Sequence, residues 1–569
     1  MPLDEVRVGQ RGVGYTVMRG VQPEEFQAEI LGILRDTFPG VDLIVARLGG
    51  LGLERAGVAA GMSGSPVYID GRIIGAVAYR LVDFGHDAIA GIVPIETMLA
   101  LGDRESGRGT APASVAAVLD SASALLRGEG EGRVLIGAGS SAAGVTRIAT
   151  PLGLTGFDPR IATQLQPLFE TFGWAPTAAG TSGLTEQSTP AARPVPGGAV
   201  AVQLVRGDIG VTATGTVTYV DGDRVYAFGH PFMQGGDVDF PMVTAEIITV
   251  LESQAASQKL SAVGDDVIGA IRQDRLPGVM GVLGSTAVMI PVTIELRGTS
   301  GSHTVRFEVV DDPMLTPLYL FFGLVNIVQS MEDTYGAGTI DFDGRIELAG
   351  HGDVNLNDLF ADRSQAIIRL AGWLSGLFGS VQGNEFGPVV VRGVEAKLQL
   401  LEGVRTAEIE RLWPTRETVR RGETARLRAV LRSYRGDPIV REIEVPIPAN
   451  LSPGPVNIVV GSAAAYLGGL SAAGGDGAAP TSLDGLVTLL NDSTRSDRLY
   501  VIATRAAAGA TVAGVRLPSL PPSALEMVNS GASAADTVGL DSHVIFRGEF
   551  DLGRVVAGSA SVQIMVERN

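Results

Sequence analysis

Two Asp-Gly pairs, each set between short runs rich in apolar and β-branched residues, constrain this chain most. Val67-Tyr68-Ile69 and Arg72-Ile73-Ile74 flank Asp70-Gly71, while Gly210 to Val220 and Arg224 to Phe228 flank Asp221-Gly222. Such a pair is a strong short-range hairpin signal, because a type I′ turn needs positive φ at both central residues. Antiparallel sheet is therefore expected in two separate regions. Composition agrees: Gly makes 76 of 569 residues and aromatics only 5%, which favours β-rich domains with many tight turns. Hydrophobic residues at 45% and charged residues at 19% exclude an intrinsically disordered chain. At about 150 residues per domain, the length predicts three to four domains.

Along the chain the character changes several times. Residues 1–102 read as β-rich, with a mostly apolar run from Leu43 to Leu48. Residues 22–36 read as a strand followed by a short helix. Residues 103–195 are dominated by Ala, Ser, Gly and Thr, as in Gly137 to Gly144 and Pro176 to Pro190, and read as a helical insert with flexible linkers. Within them Gln164 to Phe172 is a candidate helix. Residues 196–300 return to strands, among them Val200 to Val205, Val243 to Leu251 and Ala287 to Leu296. Residues 301–405 read as an α+β extension, in which Ile367, Leu370, Ala371, Leu374 and Phe378 fall at helical spacing. Residues 406–569 read as a β-sandwich, with strands at Ala425 to Leu431, Ile439 to Ile447, Val456 to Val460, Leu499 to Thr504 and Ser559 to Val566. The interval Ala463 to Ala479 reads as a Gly/Ala-rich loop.

Several function classes fall away. The formal charge of −18 leaves no basic footprint for nucleic acid. With no cysteine, disulfides, thiolate catalysis and Cys-based zinc sites are excluded. The most apolar run, Leu318 to Val328, is too short to span a membrane and contains Asn326. The first ten residues, MPLDEVRVGQ, do not have the pattern of a signal peptide. No histidine spacing points to a metal. Asp221, Asp223, Asp311 and Asp312 lack the spacing of a calcium loop. Gly49-Gly50-Leu51-Gly52 lacks the Gly-Lys-Ser/Thr of a phosphate loop.

The sharpest local motif is Gly61-Met62-Ser63-Gly64-Ser65-Pro66. Glycines beside a serine let the backbone turn tightly and a substrate carbonyl approach. The N–H groups of Gly61 and Ser63 could then converge as an oxyanion hole. The hexapeptide has the form of the Gly-x-Ser-Gly-x-Pro turn of chymotrypsin-like proteases, and its plainer reading is a Gly/Ser-rich turn. Ser63, followed directly by glycine, is favoured over Ser65 as nucleophile. A serine also needs a base. Of the five histidines, His230 follows the second hairpin in Tyr226-Ala227-Phe228-Gly229-His230-Pro231-Phe232. A strand end facing a cleft suits a general base, although a histidine between Gly and Pro is also a common turn residue. His86, His303, His351 and His543 read as loop residues.

Two stretches carry a more specific resemblance. Gly61 to Ile74 with Gly75-Ala76-Val77, and the later Gly91-Ile92-Val93-Pro94-Ile95, resemble the serine end of the SpoIVB-type serine peptidases. Gly215-Thr216-Val217-Thr218, Gly229-His230, Ser257-Gln258-Lys259, Gly264 and Gly281-Val282-Leu283-Gly284 are similar to that family's histidine-bearing half. The resemblance implies a mainly β fold, a trypsin-like double β-barrel with residues 1–102 as the serine half and 196–300 as the histidine half. It implies Ser63 as nucleophile, His230 as base, a protein or peptide substrate and no cofactor. It also implies an exported protein whose signal peptide is not in this chain. Two departures stand out. The halves are in permuted order, with Ser63 preceding His230 by 167 residues. The family's aspartate upstream of the serine has no counterpart here, and Leu48 occupies about its place. Asp239 is the first candidate for the acidic member, followed by Asp237, Glu54 and Asp42. A Ser–His dyad, or a backbone carbonyl orienting His230, is the alternative. The competing reading of the whole chain is a non-catalytic pseudo-peptidase acting as an exported scaffold or binding protein.

Overall fold

The computed structural model describes residues 1–81, 87–103, 115–128, 144–179, 193–253, 257–331, 338–473, 480–512, 515–517, 520–530 and 537–568. Strand accounts for 52% and helix for 20%, which makes the chain mainly β. Six strands come first: β1 (Arg11–Thr16), β2 (Glu24–Phe38), β3 (Val41–Gly49), β4 (Pro66–Ile69), β5 (Arg72–Arg80) and β6 (Ala88–Pro94). They pair in the order β4-β1-β2-β3-β6-β5 and close through β4–β5 into a six-stranded barrel. Inward-facing Phe26, Ile30, Ile44, Leu48, Val67, Val77 and Ile92 fill it. Closure removes the unpaired edges that an open sheet would expose. The Asp70-Gly71 turn has φ +49° and +72°, as a type I′ turn requires.

Residues 22–36 depart from the expected strand-then-helix. Ile30, Ile33 and Leu34 have helical spacing in the sequence. In the structure they lie on the single long strand β2, whose pairing with β3 shifts register between Ile30 and Gly32 and again between Leu34 and Phe38. The first irregularity moves the inward-facing phase from Ile30 to Ile33, whereas Leu34 is exposed, so the apolar residues of one strand only mimic a helical stripe.

The second barrel uses β10 (Ala199–Gly207), β11 (Gly210–Asp221), β12 (Arg224–Ala227), β13 (Gly236–Leu251), β14 (Gln258–Arg275) and β15 (Gly278–Leu283). Their order is β10-β13-β14-β15-β12-β11, closed by β10–β11. In its hairpin Asp221 faces Arg224 across the ladder. The central residues are therefore Gly222 and Asp223, one place later than the Asp-Gly pair implies. Gly222 alone takes positive φ, +56°, the pattern of a II′ rather than a I′ turn.

Between the barrels, the described part of 103–195 is more ordered than an insert with linkers. It contains α3 (Val115–Leu126), β7 (Thr146–Arg147), β8 (Thr150–Thr155), α4 (Pro159–Thr171) and β9 (Trp174–Ala178), which follow α1 (Leu53–Ala56) and α2 (Ile95–Leu99) in the chain. The short β7 pairs with β5 of the first barrel, and β8 pairs with β11 of the second, so this segment ties the two together. The expectations at 137–143 and 180–190 lie outside the described residues.

Beyond the second barrel, β16 (Met289–Gly298), β17 (Gly301–Val310), β18 (Gly338–Leu348), β19 (Val354–Asp362) and β20 (Val391–Leu401) extend its sheet from β10 in the order β17-β16-β20-β18-β19. His303 lies on β17 rather than in a loop. Helix α5 (Leu315–Met331) is buried along its length from Leu315 to Val328, and α6 (Ala366–Gln382) presents Ile367, Leu370, Ala371, Leu374 and Phe378 to the same core. The apolar run noted in the sequence is thus the centre of this domain. No helix among the described residues is long and apolar enough to cross a membrane.

The C-terminal part is a β-sandwich. One sheet contains Thr406–Pro414, Thr424–Ser433, Ile439–Pro446 and Val555–Ala557; the other is built on Gly454–Gly461, Arg498–Val512 and Ser559–Glu567. Leu427, Leu431, Ile443, Val456, Ile458, Val501 and Ile564 share the core between them. His543 is on a strand, Thr537–Asp551. Ala463–Ala472, within the expected loop, is helical. Alanine is the best helix former, and Ser462 caps the helix with a side-chain bond from the Ala465 N–H.

Candidate active site

The serine motif occupies the loop between α1 and β4, pressed against the second barrel. Three bonds hold it there: the Thr216 N–H donates to Ser63 O (2.9 Å), the Thr216 hydroxyl to Gly61 O (2.8 Å), and the Thr218 hydroxyl to Gly64 O (2.7 Å). The Gly64 N–H donates to Val77 O of its own barrel at 2.7 Å. Gly64 has φ +94°, and a Cβ there would stand 1.9 Å from Thr216 O and 2.6 Å from the Phe228 nitrogen. Only glycine fits, and the motif's glycine is thereby explained by the seam between the barrels. Ser65 donates its hydroxyl to Met62 O at 2.6 Å and so braces the turn. Ser63 is fully buried, and among the described residues its Oγ has no hydrogen-bond partner. Among the described residues, neither the Gly61 nor the Ser63 N–H donates to a backbone carbonyl.

His230 follows β12 on the facing loop. Phe228, a bulky residue, is held at φ +70°, a costly backbone conformation of the kind that clusters at functional sites. Gly229 packs against Ala76 and Ala78 of the first barrel. The ring of His230 is fully buried. Its Nδ1 lies 2.9 Å from Pro231 O, and its Nε2 has no partner among the described residues. A carbonyl only accepts, so Nδ1 carries the proton and Nε2 the lone pair. Burial, and next the positive Arg147, push the imidazole down to about 3, against the pull of the Pro231 bond, so the neutral form prevails at neutral pH.

Two residues that sequence reasoning missed support this loop. The buried carboxylate of Asp274, on β14, accepts the N–H groups of Phe232 (2.7 Å), Met233 (2.7 Å) and Gly235 (3.2 Å). Burial raises its pKa, more than those bonds and Arg147 lower it. Arg147 on β7 donates to Pro231 O at 3.1 Å and to Phe172 O. It therefore shares the carbonyl that orients His230. Asp274 shares its strand with Asp265 and Asp266 and carries no signal of its own in the sequence; Arg147 has none either, because its role depends on β7 joining the first barrel.

The structure places the acidic candidates in other partnerships. Asp239 pairs with Arg272 at 2.5 Å and accepts the Val288 N–H. Asp237 pairs with Arg275 at 2.8 Å. Glu54 accepts the Gly50 N–H, and Asp42 pairs with Arg35. The group bonded to His230 Nδ1 is the Pro231 carbonyl, not one of these carboxylates. Ser63 Oγ and His230 Nε2 are not hydrogen-bonded to each other. His86 lies outside the described residues, and His351 pairs with Asp484 at the surface. Among the described residues no group of three or more His, Asp or Glu side chains is placed to hold a metal ion.

The structure thus brings to one seam, on two packed loops, a serine hydroxyl and a neutral imidazole nitrogen that have no hydrogen-bond partner among the described residues. Comparison with curated proteins and with solved structures gives no match. Comparison with protein families gives the SpoIVB peptidase S55 family at residues 3–99. The match covers the first barrel with its serine loop and ends before the histidine-bearing barrel. Residues 3–99, which form the serine-bearing barrel, are thus similar to the SpoIVB peptidase S55 family.

Proposed function

We propose that the protein is a SpoIVB-type serine endopeptidase that uses Ser63 as nucleophile and His230 as general base on a protein or peptide substrate. The observation that carries this reading is the pair of buried atoms left without partners, Ser63 Oγ and His230 Nε2, on two loops packed at the barrel seam. In the reaction Ser63 Oγ attacks the scissile carbonyl carbon while its proton passes to His230 Nε2. The imidazolium then returns that proton to the leaving amine. The Gly61 and Ser63 N–H groups receive the charge that develops on the carbonyl oxygen. The Pro231 carbonyl does the orienting that a carboxylate does in a triad, and the site is a dyad in that sense. Because both atoms are buried, substrate binding must open the seam or draw the Ser63 and His230 loops together. The halves stand in permuted order relative to the family, and the resemblance implies work outside the cytoplasm.

Labelling with a fluorophosphonate probe tests this. Wild type should label, and Ser63→Ala and His230→Ala should lose the label. Labelling that survives Ser63→Ala would move the nucleophile to another residue, Ser65 first. A well-folded wild type that stays unlabelled would favour the second reading, a pseudo-peptidase serving as an exported scaffold, for which the closed site and the absence of a carboxylate bonded to His230 speak.

A further inference from the structure

Lys259 and Lys397 are the two lysines among 44 basic residues; the other 42 are arginine. Lys259, near the start of β14, is 1% exposed, and among the described residues its amine has a single partner, the Thr16 hydroxyl at 2.7 Å. Among the described residues no carboxylate pairs with it. A buried ammonium without a counter-ion is costly and needs a reason. Burial pushes the amine down to about 7.

The position supplies the reason. Lys259 belongs to the second barrel but is inserted into the first. Its N–H donates to Ala60 O at 3.0 Å, and the Ala60 N–H donates to Ser257 O at 2.8 Å. Its stem lies against Gly61: a Cβ on Gly61, which has φ +88°, would stand 3.1 Å from Lys259 Cδ and 3.2 Å from Lys259 Cβ. The amine is two bonds beyond that Cδ and reaches Thr16, at the end of β1. Arginine does not suit this slot. Its planar fork carries five donors and stays charged, whereas one hydroxyl waits here for a group that can give up its charge.

We propose that Lys259 is a positioning residue of the serine loop: clamped by Thr16, it braces Gly61 so that the Gly61 and Ser63 N–H groups keep their aim. The inference rests on the peptidase reading for its consequence in catalysis, but not for its structural content. Lys259→Met keeps the stem and removes the amine; Thr16→Val removes the clamp. Hydrogen exchange over residues 59–65 should speed at least tenfold in either variant, and the double variant should add little more. Fluorophosphonate labelling of Ser63 should slow at least tenfold in Lys259→Met while its thermal midpoint stays level or rises, because an unpaired buried charge has gone. A lysine that merely filled space would leave both rates unchanged. Wild-type exchange and labelling in Lys259→Met would overturn the proposal. If wild type itself fails to label, the peptidase reading falls, and exchange alone decides the role of Lys259.

Discussion

His230 shows what burial does to one side chain. An imidazole ordinarily titrates at 6.5, and here the folded value is about 3. The unfolded chain takes up a proton as pH falls through 6.5, whereas the folded protein refuses it until about 3. Stability contributed by the neutral ring is therefore complete above 6.5 and is lost as pH falls between those values, by up to about 1.4 kcal/mol per pH unit. Urea unfolding at pH 7.5, 6 and 5 should show wild type losing stability more steeply than His230→Gln. Equal slopes would mean that the folded ring titrates normally.

At the scale of elements, a polar residue inside an apolar helix is explained by its neighbour. Asn326 lies in the middle of α5, 1% exposed. Its Oδ1 accepts the Asp158 N–H and its Nδ2 donates to Gly156 O, both at 2.8 Å. It thus satisfies the chain where it enters α4, whose N-cap is Asp158. Asn326→Leu would leave a buried donor and acceptor unpaired and should cost about 2–4 kcal/mol, measured as a lower urea midpoint. An unchanged midpoint would mean that water replaces the side chain there.

For the whole molecule, the question is how the sandwich is held to the rest. Asp358 on β19 is 4% exposed and accepts both the Ser496 N–H (2.6 Å) and its hydroxyl (2.8 Å). Arg495 reaches Asn357, and the Asn355 N–H donates to Asn491 Oδ1. Burial raises the Asp358 pKa, more than the Ser496 bonds lower it. Asp358→Ala should loosen this docking by about 1–3 kcal/mol. In calorimetry the sandwich should then unfold in a separate, earlier transition. One transition at the wild-type temperature would show that the apolar contacts alone suffice.

Much of this was legible in the residues themselves. The hairpins at Asp70 and Gly222, several barrel strands, among them β3, β10 and β11, and the apolar face of α6 follow from local turn chemistry and periodicity, which neighbouring residues decide. The serine loop was recognisable because its glycines obey a rule written within six residues. The short helix expected after the strand within 22–36 is absent, because register shifts in the β2–β3 pairing changed that strand's phase. In the segment between the barrels the helix expected at Gln164 to Phe172 is part of α4, whereas β7, β8 and β9 carry no sequence signal because they form by pairing with β5, β11 and one another. Arg147 and Lys259 acquire their roles by meeting other parts of the chain 84 and 243 residues away, and Asp274 by reaching the His230 loop from 39 to 42 residues away within its own barrel. Side-chain identity, turn type and strand period are local properties and are carried by the sequence alone. The orientation of His230, the buried state of Ser63 and the reason for a lone lysine depend on desolvation and on long-range contacts, which exist only once both barrels have closed and packed.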